Sequence, residues 1–378
     1  MRVLLSALVP SHLMPIVPLA WALRSRGHDV LVTGDAPVTA AAHQAGLATS
    51  ALAVREVAPA TGRGPEEERN PGTVRTEAYL PGYLDAARAW GAELVVTDPL
   101  EHAGWIVAAA LGVPLVVHRY GPEDFSTALH HAMREPLRPY AEAAGAAHGL
   151  PDPDLLLDPC PPGLQSDALA PARAVRFVPY NGPGGIPGEL LRAPAGRRVC
   201  VCLGVRGSEQ LRTESRLPAG FAHVLAAIEA TDRLEGVLAL PAGDPQPALA
   251  LPPSVRPVHG MPIAPAVRHS DLVVHHGGAG TALTALASGV PQLVLPQGEP
   301  FLAANAERVA ATGAGRALLS EEEQHDAALV ARAVTDVLDT PEYGTSAQLL
   351  RSGIEALPTP AELVEELEEL VARRTPAC

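Results

Sequence analysis

The stretch Asp271-Leu-Val-Val-His-His-Gly-Gly-Ala-Gly-Thr-Ala-Leu-Thr-Ala-Leu-Ala-Ser-Gly-Val-Pro-Gln-Leu-Val-Leu295 decides the fold. Near its start Leu272-Val-Val274 is a short apolar run, the mark of a strand buried on both faces. A glycine turn follows, then an apolar segment from Ala282 to Ala287 that reads as a helix. Gly289 stops that helix by adopting the left-handed conformation, and Pro291 opens the strand Gln292–Leu295, where its missing N–H is not needed. Strand, helix and strand in so few residues form a βαβ unit, which requires a parallel sheet with a right-handed crossover.

Outward from that unit the same order of elements recurs. Residues 2 to 9 form an apolar strand, and Pro15 to Arg26 places Ile16, Leu19, Ala20 and Leu23 on one helical face. Gly27 caps that helix and His28-Asp-Val-Leu-Val-Thr33 is the next strand. Glu93–Asp98 and Leu115–His118 are strands on either side of a helix from Gly104 to Leu111. Arg198–Leu203 and Gly236–Leu240 begin a second series. A helix followed by Gly-Val-Pro and a strand occurs once in each half, at residues 112–114 and 289–291. The fold class is therefore α/β, with two Rossmann-like domains of parallel sheet. The expected division is residues 1–180, a linker at 181–196, a second domain at 197–359, and an acidic amphipathic helix within 360–378 that packs back on the body. Residues 150–197 carry too much Pro and Gly for regular structure, and residues 56–76 read as a loop.

A chain of 378 residues, 47% of them hydrophobic, fills two such interiors; with 3% aromatics the cores must be Leu, Val and Ala. The net charge of −14 argues against a nucleic-acid partner and against anionic lipid. A nucleotide remains compatible, because backbone N–H groups hold phosphates without a basic protein. Four cysteines give neither a disulfide framework nor zinc spacing, and Cys200 and Cys202 share one face of a strand as packing residues. Pro10, His12, Pro15 and Pro18 interrupt the N-terminal apolar run, so it does not read as a secretory signal. No eighteen-residue apolar stretch suggests a membrane span, and a cytoplasmic location is expected.

The residues that can carry chemistry cluster at strand ends. In Val274-His275-His276-Gly277-Gly278-Ala279-Gly280-Thr281 the glycines let the backbone approach a diphosphate, and the first helical turn offers unpaired N–H donors. Thr281 adds a hydroxyl, and of His275 and His276 only one can easily face a ligand. The bland alternative is a glycine turn with no ligand.

These residues, with Ala287-Ser-Gly-Val-Pro-Gln-Leu-Val-Leu-Pro-Gln-Gly298, resemble the donor signature of nucleotide-sugar glycosyltransferases of the GT-B fold. More narrowly they resemble the actinobacterial enzymes that attach deoxysugars to macrolides, aromatic polyketides and enediynes. The likeness extends to Ser11-His12-Leu-Met-Pro15, Pro18-Leu-Ala-Trp-Ala-Leu-Arg24 and Val175-Arg-Phe-Val-Pro-Tyr-Asn-Gly-Pro-Gly184, and so covers nearly the whole chain.

The resemblance implies two domains facing across a cleft, with acceptor bound by the first and donor by the second. It implies His12 as catalytic base, Asp98 as its carboxylate partner and His276 as a contact to the donor phosphates. A histidine suits removal of an acceptor proton, and a carboxylate would orient its ring. Gly277, Gly278, Ala279, Gly280 and Thr281 complete the donor loop, with Gly204, Val205, Arg206 or Ser208 after the preceding strand and Gln297 beyond it. His118 and Tyr120 are expected to line the acceptor cleft, against the alternative of a surface loop; His130 and His131 read as a solvated or lid feature. Two departures stand out. Glu299-Pro300-Phe301 replaces the family's Asp-Gln pair on the sugar, leaving Glu299 as a substitute acceptor. Val258-His-Gly-Met-Pro-Ile263 lacks the aromatic that stacks on the base, leaving His259 and Met261 there.

The expected activity is inverting transfer of a deoxysugar from a thymidine-diphosphate sugar to a hydrophobic natural-product aglycone. No metal and no cofactor are expected beyond the nucleotide-sugar cosubstrate. The partners are those two small molecules, with a homodimer left open. A non-catalytic auxiliary partner and a nucleotide-sugar epimerase are the alternatives.

Overall fold

A computed structural model describes residues 1–52, 70–204, 208, 211, 213, 216–242 and 251–374. Two sheets, each all-parallel in its pairings, organise them. The first runs in the order β3-β2-β1-β4-β5-β6-β7. Its strands are β1 (Arg2–Ser6), β2 (Asp29–Gly34), β3 (Ala48–Ala51), β4 (Leu94–Thr97), β5 (Leu115–His118), β6 (Leu155–Asp158) and β7 (Arg173–Ala174). The second runs in the order β10-β9-β8-β11-β12-β13. It comprises β8 (Arg197–Cys202), β9 (Leu234–Leu240), β10 (Val255–His259), β11 (Leu272–His275), β12 (Gln292–Val294) and β13 (Gly315–Ala317). Each sheet grows outward in both directions from its first strand, the order of a doubly wound nucleotide-binding domain.

The central strands are covered on both faces, which is why they read as unbroken apolar runs. Val3 and Leu5 of β1 enter one core with Ile16, Leu19 and Leu23, whereas Leu4 enters another with Val95, Ile106 and Val117. In the same way Val199 and Val201 of β8 pack on one side of the second sheet, and Cys200 and Cys202 on the other. The helix Pro360–Arg374 does not pack on the second sheet. Its Leu363, Val364 and Leu367 complete the core around β1, and its Glu368 meets His28 at 2.8 Å.

Several boundaries differ from expectation for local reasons. The first strand stops at Ser6, because Pro10 suits the first turn of a short helix, α1 (Pro10–Leu13). Residues 150–197 are not irregular throughout: Leu155-Leu-Leu-Asp158 pairs with β5, and β7 pairs with β6 at the sheet edge, where short strands between prolines are tolerated. Of the loop expected at 56–76, residues 56–69 lie outside the described residues, and Pro71–Thr76 opens the helix α2 (Pro71–Trp90). Among the described residues no helix is long and apolar enough to cross a membrane.

Candidate active site

In each sheet the strand order reverses between the first and fourth strands, at β1/β4 and at β8/β11. A crevice forms at the carboxyl ends of the strands on either side of such a reversal. His12 follows β1 and Asp98 ends β4; Gly204 follows β8 and His276 follows β11. The four residues thus sit at the two switch points of the molecule.

Asp98 is fully buried. Its Oδ2 accepts the N–H of Leu8 at 2.5 Å and its Oδ1 accepts the N–H of Leu100 at 2.7 Å. Burial alone would raise the carboxyl, but His12 and the two N–H donors outweigh it and hold Asp98 below the ordinary carboxylate range. Nδ1 of His12 stands 3.4 Å from Oδ1 of Asp98, an ion-pair separation longer than a well-formed hydrogen bond; among the described residues that buried nitrogen has no other partner. This places Nδ1 toward the carboxylate and leaves Nε2 on the far side of the ring from it. Tyr120 covers one face of the imidazole, the rings stacking at 3.8 Å and 3°. Below this layer Ser6 Oγ donates to Thr97 Oγ1 at 2.8 Å and ties β1 to β4.

In the second half the two adjacent histidines do different work. His275 is wholly buried: its Nδ1 accepts the N–H of Gly277 at 3.1 Å, which fixes the proton on Nε2 for donation to Gln292 Oε1 at 2.8 Å. That ring pins the glycine turn to β12. Asn305 Nδ2 donates to the Gly277 carbonyl at 3.2 Å and closes the turn from the other side. His276 lies in a slot between two glycines. A Cβ on Gly204 would fall 2.1 Å from its Cε1, and one on Gly278 would fall 2.6 Å from its Nε2. Burial lowers the His276 imidazole to about 4, so it is neutral near pH 7, and its Nδ1 lacks a partner among the described residues. The helix α3 (Ala279–Ser288) starts a turn earlier than expected. Its first internal bond is Ala282 N–H to Gly278 O, so the N–H groups of Ala279, Gly280 and Thr281 have no acceptor within the helix. Those donors and the positive helix end suit an anion.

The halves meet beside these groups. Gly121, next to the Tyr120 that stacks on His12, approaches Ala279 so closely that a Cβ there would lie 2.4 Å from the alanine methyl. Asp124 pairs with Arg308 at 2.7 Å, and Asn181 Nδ2 donates to Thr284 at 3.1 Å.

Other expected residues stand elsewhere. Met261 is buried in the core with Leu190, Val237, Val258 and Ala266, so it is a packing residue rather than a platform for a base. The Gln297 amide donates to the carbonyls of Leu295 and Pro296 and to Gln324 Oε1, which leaves only its oxygen. Glu299 precedes the helix Pro300–Ala311 as its N-cap residue. His118 is buried, its Nδ1 bonded to the Arg119 carbonyl at 2.6 Å, and so lies beneath the crevice rather than lining it. His130 is buried too, stacked on Trp105 at 4.4 Å, not solvated. Ser208 is buried, and Val205 and Arg206 lie outside the described residues. The sequence reading missed the pair of part-buried Arg75 with buried Glu101 near Asp98, whose members are 26 residues apart along the chain.

Two doubly wound sheets, with an imidazole–carboxylate pair at one switch point and a glycine turn opening a helix at the other, have the architecture of the GT-B glycosyltransferases. Comparison with known proteins identifies which kind. Two family models match, the erythromycin biosynthesis protein CIII-like N-terminal domain over residues 67–204 and its C-terminal domain over residues 222–370. The L-demethylnoviosyl transferase of Streptomyces niveus is 34% identical, with 100% of each chain covered. The 3-alpha-mycarosylerythronolide B desosaminyl transferase of Saccharopolyspora erythraea is 31% identical over 99% of each. Among solved structures, the spinosyn rhamnosyltransferase SpnG complexed with thymidine diphosphate superposes with a TM-score of 0.83 at 33% identity, covering 97% of this chain and 100% of that one; SpnG has also been solved with spinosyn aglycone. The chain belongs to the erythromycin biosynthesis protein CIII-like family of antibiotic glycosyltransferases, and is an enzyme of that class.

Proposed function

We propose that this enzyme transfers a deoxysugar from a thymidine-diphosphate sugar to a hydrophobic polyketide, macrolide or enediyne aglycone, with inversion at the anomeric carbon. Residues 1–180 would hold the acceptor, residues 197–359 the donor, and 181–196 the link between them. The reading is carried by one observation: His12–Asp98 and the His276 glycine turn occupy facing switch points joined through Tyr120 and the Gly121–Ala279 contact. The names of its relatives, a desosaminyl transferase of 3-alpha-mycarosylerythronolide B and a rhamnosyltransferase solved with thymidine diphosphate and with spinosyn aglycone, support the thymidine-diphosphate deoxysugar and a macrolide-type acceptor.

In the reaction, Nε2 of His12 takes the acceptor proton as the acceptor atom forms its bond to the anomeric carbon. The bond from that carbon to the phosphate oxygen breaks, and its electron pair leaves with the nucleoside diphosphate. Asp98 stabilises the imidazolium that results, and the N–H groups of Ala279, Gly280 and Thr281 receive the negative charge. Attack from the face opposite the leaving group inverts the centre. The purified enzyme, incubated with thymidine-diphosphate deoxysugars and an aglycone panel, should yield glycosides of inverted configuration, read by mass spectrometry and NMR. Retained configuration would overturn the mechanism. Thymidine-diphosphate binding without any turnover would favour the auxiliary-partner alternative, motivated by Glu299-Pro300-Phe301.

A further inference from the structure

Beside the His12–Asp98 pair lies a part-buried ionic group that the reaction above does not use. Arg75, on the second turn of α2, reaches Glu101 with Nε at 2.9 Å and Nη2 at 2.6 Å. The same Nη2 donates to the carbonyl of Leu8 at 3.3 Å. Nη1 lies 3.6 Å from Asp35, and the guanidinium covers the Tyr79 ring at 4.4 Å. Glu101 is almost wholly buried, and it stands three residues after Asp98 in the loop that leaves β4. That loop therefore carries two carboxylates with different partners, one for His12 and one for Arg75.

Leu8 is where the two meet. Its N–H is held by Asp98 and its carbonyl by Arg75. The next residue, Val9, begins the turn that bears the imidazole, since His12 N–H donates to the Val9 carbonyl at 3.0 Å. With no strand bonds beyond Ser6, this two-ended grip on Leu8 sets where α1 starts and so where Nδ1 meets Asp98. We propose that Arg75, braced by Glu101, is a positioning residue for the His12 base. The inference rests on the reading of His12 as that base. The planar guanidinium suits this role, because Nε and Nη2 converge on Oε2 of Glu101 in a fixed geometry while Nη2 also reaches the Leu8 carbonyl, an arrangement the flexible ammonium of Lys does not pre-set.

The test reads His12 without any substrate. Exchange of the imidazole Cε1 proton in deuterated buffer, followed residue by residue by mass spectrometry, reports ring environment. In Arg75→Gln and Arg75→Lys the His12 rate should change roughly threefold or more, because the ring shifts relative to a buried charge. Rates at His118 and His276 should stay as in the unmodified enzyme. Arg75→Lys keeps a charge against Glu101 and so protects the fold if Arg75→Gln does not survive. Asp35→Asn, which alters only the outer limb, should leave His12 unchanged. Once an acceptor is in hand, Arg75→Lys should lower kcat about tenfold, a sub-ångström misplacement, with donor KM within about twofold. An unchanged His12 rate in a folded Arg75 variant overturns the proposal, as does a rate change shared by all buried histidines. Failure of the glycosyltransferase reading would show separately, as absence of transfer by the unmodified enzyme.

Discussion

Replacing Gly204 by Ala tests the slot that holds His276. The new methyl would lie 2.1 Å from Cε1, whereas ordinary contact begins at 3.4 Å, so the ring must move by about 1.3 Å, the difference of the two. The backbone adds strain, because Gly204 has φ +69°, a left-handed conformation that costs an L-residue about 1–2 kcal/mol. Retreat is restricted, since Gly278 flanks the ring at 2.6 Å from its own notional Cβ. A hydrogen bond from His276 to a charged phosphate is worth about 1.5–3 kcal/mol, so its loss should weaken thymidine-diphosphate binding roughly 10- to 150-fold. Titration calorimetry with thymidine diphosphate measures this directly. Gly182→Ala is the control: its φ of +84° imposes the same strain, yet an added Cβ meets nothing within 4 Å. Its affinity should match that of the unmodified enzyme. Gly204→Ala that is folded and binds within about twofold of wild type would refute the assignment of His276 to the diphosphate.

Three further outcomes are expected. Asp98→Asn sets an amide N–H2 against the N–H of Leu8 or Leu100, costing about 1–3 kcal/mol in urea unfolding. It also removes a charge 3.4 Å from the imidazole, an attraction of about 5 kcal/mol at an effective dielectric of 20 before compensation. On that basis kcat should fall roughly 10²- to 10³-fold with nucleotide affinity unchanged. His275→Ala leaves the Gly277 N–H and the Gln292 oxygen unpaired and opens a cavity; a loss of about 2–4 kcal/mol is expected, measured by urea denaturation. Burial lowers His275 to about 3 and His276 and His102 to about 4 from an ordinary 6.5. The unfolded chain therefore takes up these protons first, so stability is whole above pH 6.5 and drains away as pH falls toward 4. Melting temperature against pH should show that slope, and His276→Gln should make it shallower.

The parts of the fold legible in the sequence were those where one local rule governs. Buried parallel strands appear as apolar runs, and Gly112 and Gly289 mark helix ends because each adopts a left-handed φ of +69°. β6 and β7 were hidden because the pairing of β6 with β5, and of β7 with β6, is a long-range fact, and the Pro and Gly around them argue only about loops. At the site, strand alternation foretold that His275 and His276 would diverge, and His12 and Asp98 stand near each other because β1 and β4 pair. That Tyr120 stacks on His12 is not legible, because nothing along the chain shows which ring the residue after β5 will meet. Met261 occupied the right place in the motif, but a motif does not report that the side chain turns inward to Val237 and Val258. That the Gln297 N–H2 is engaged was hidden for the same reason: its partner Gln324 comes from a helix 27 residues on.

The return of the last helix to the first sheet has a consequence for building hybrids. Leu363, Val364 and Leu367 fill the space beside Ile16 and Leu19, and Glu368 receives His28, so the chain's end belongs materially to its beginning. An N-terminal half borrowed from a relative would arrive with a groove shaped for its own tail. A chimera cut once near the middle would seat a foreign tail in that groove, whereas one cut twice, exchanging residues beyond 359 together with the N-terminal portion, would keep native partners together.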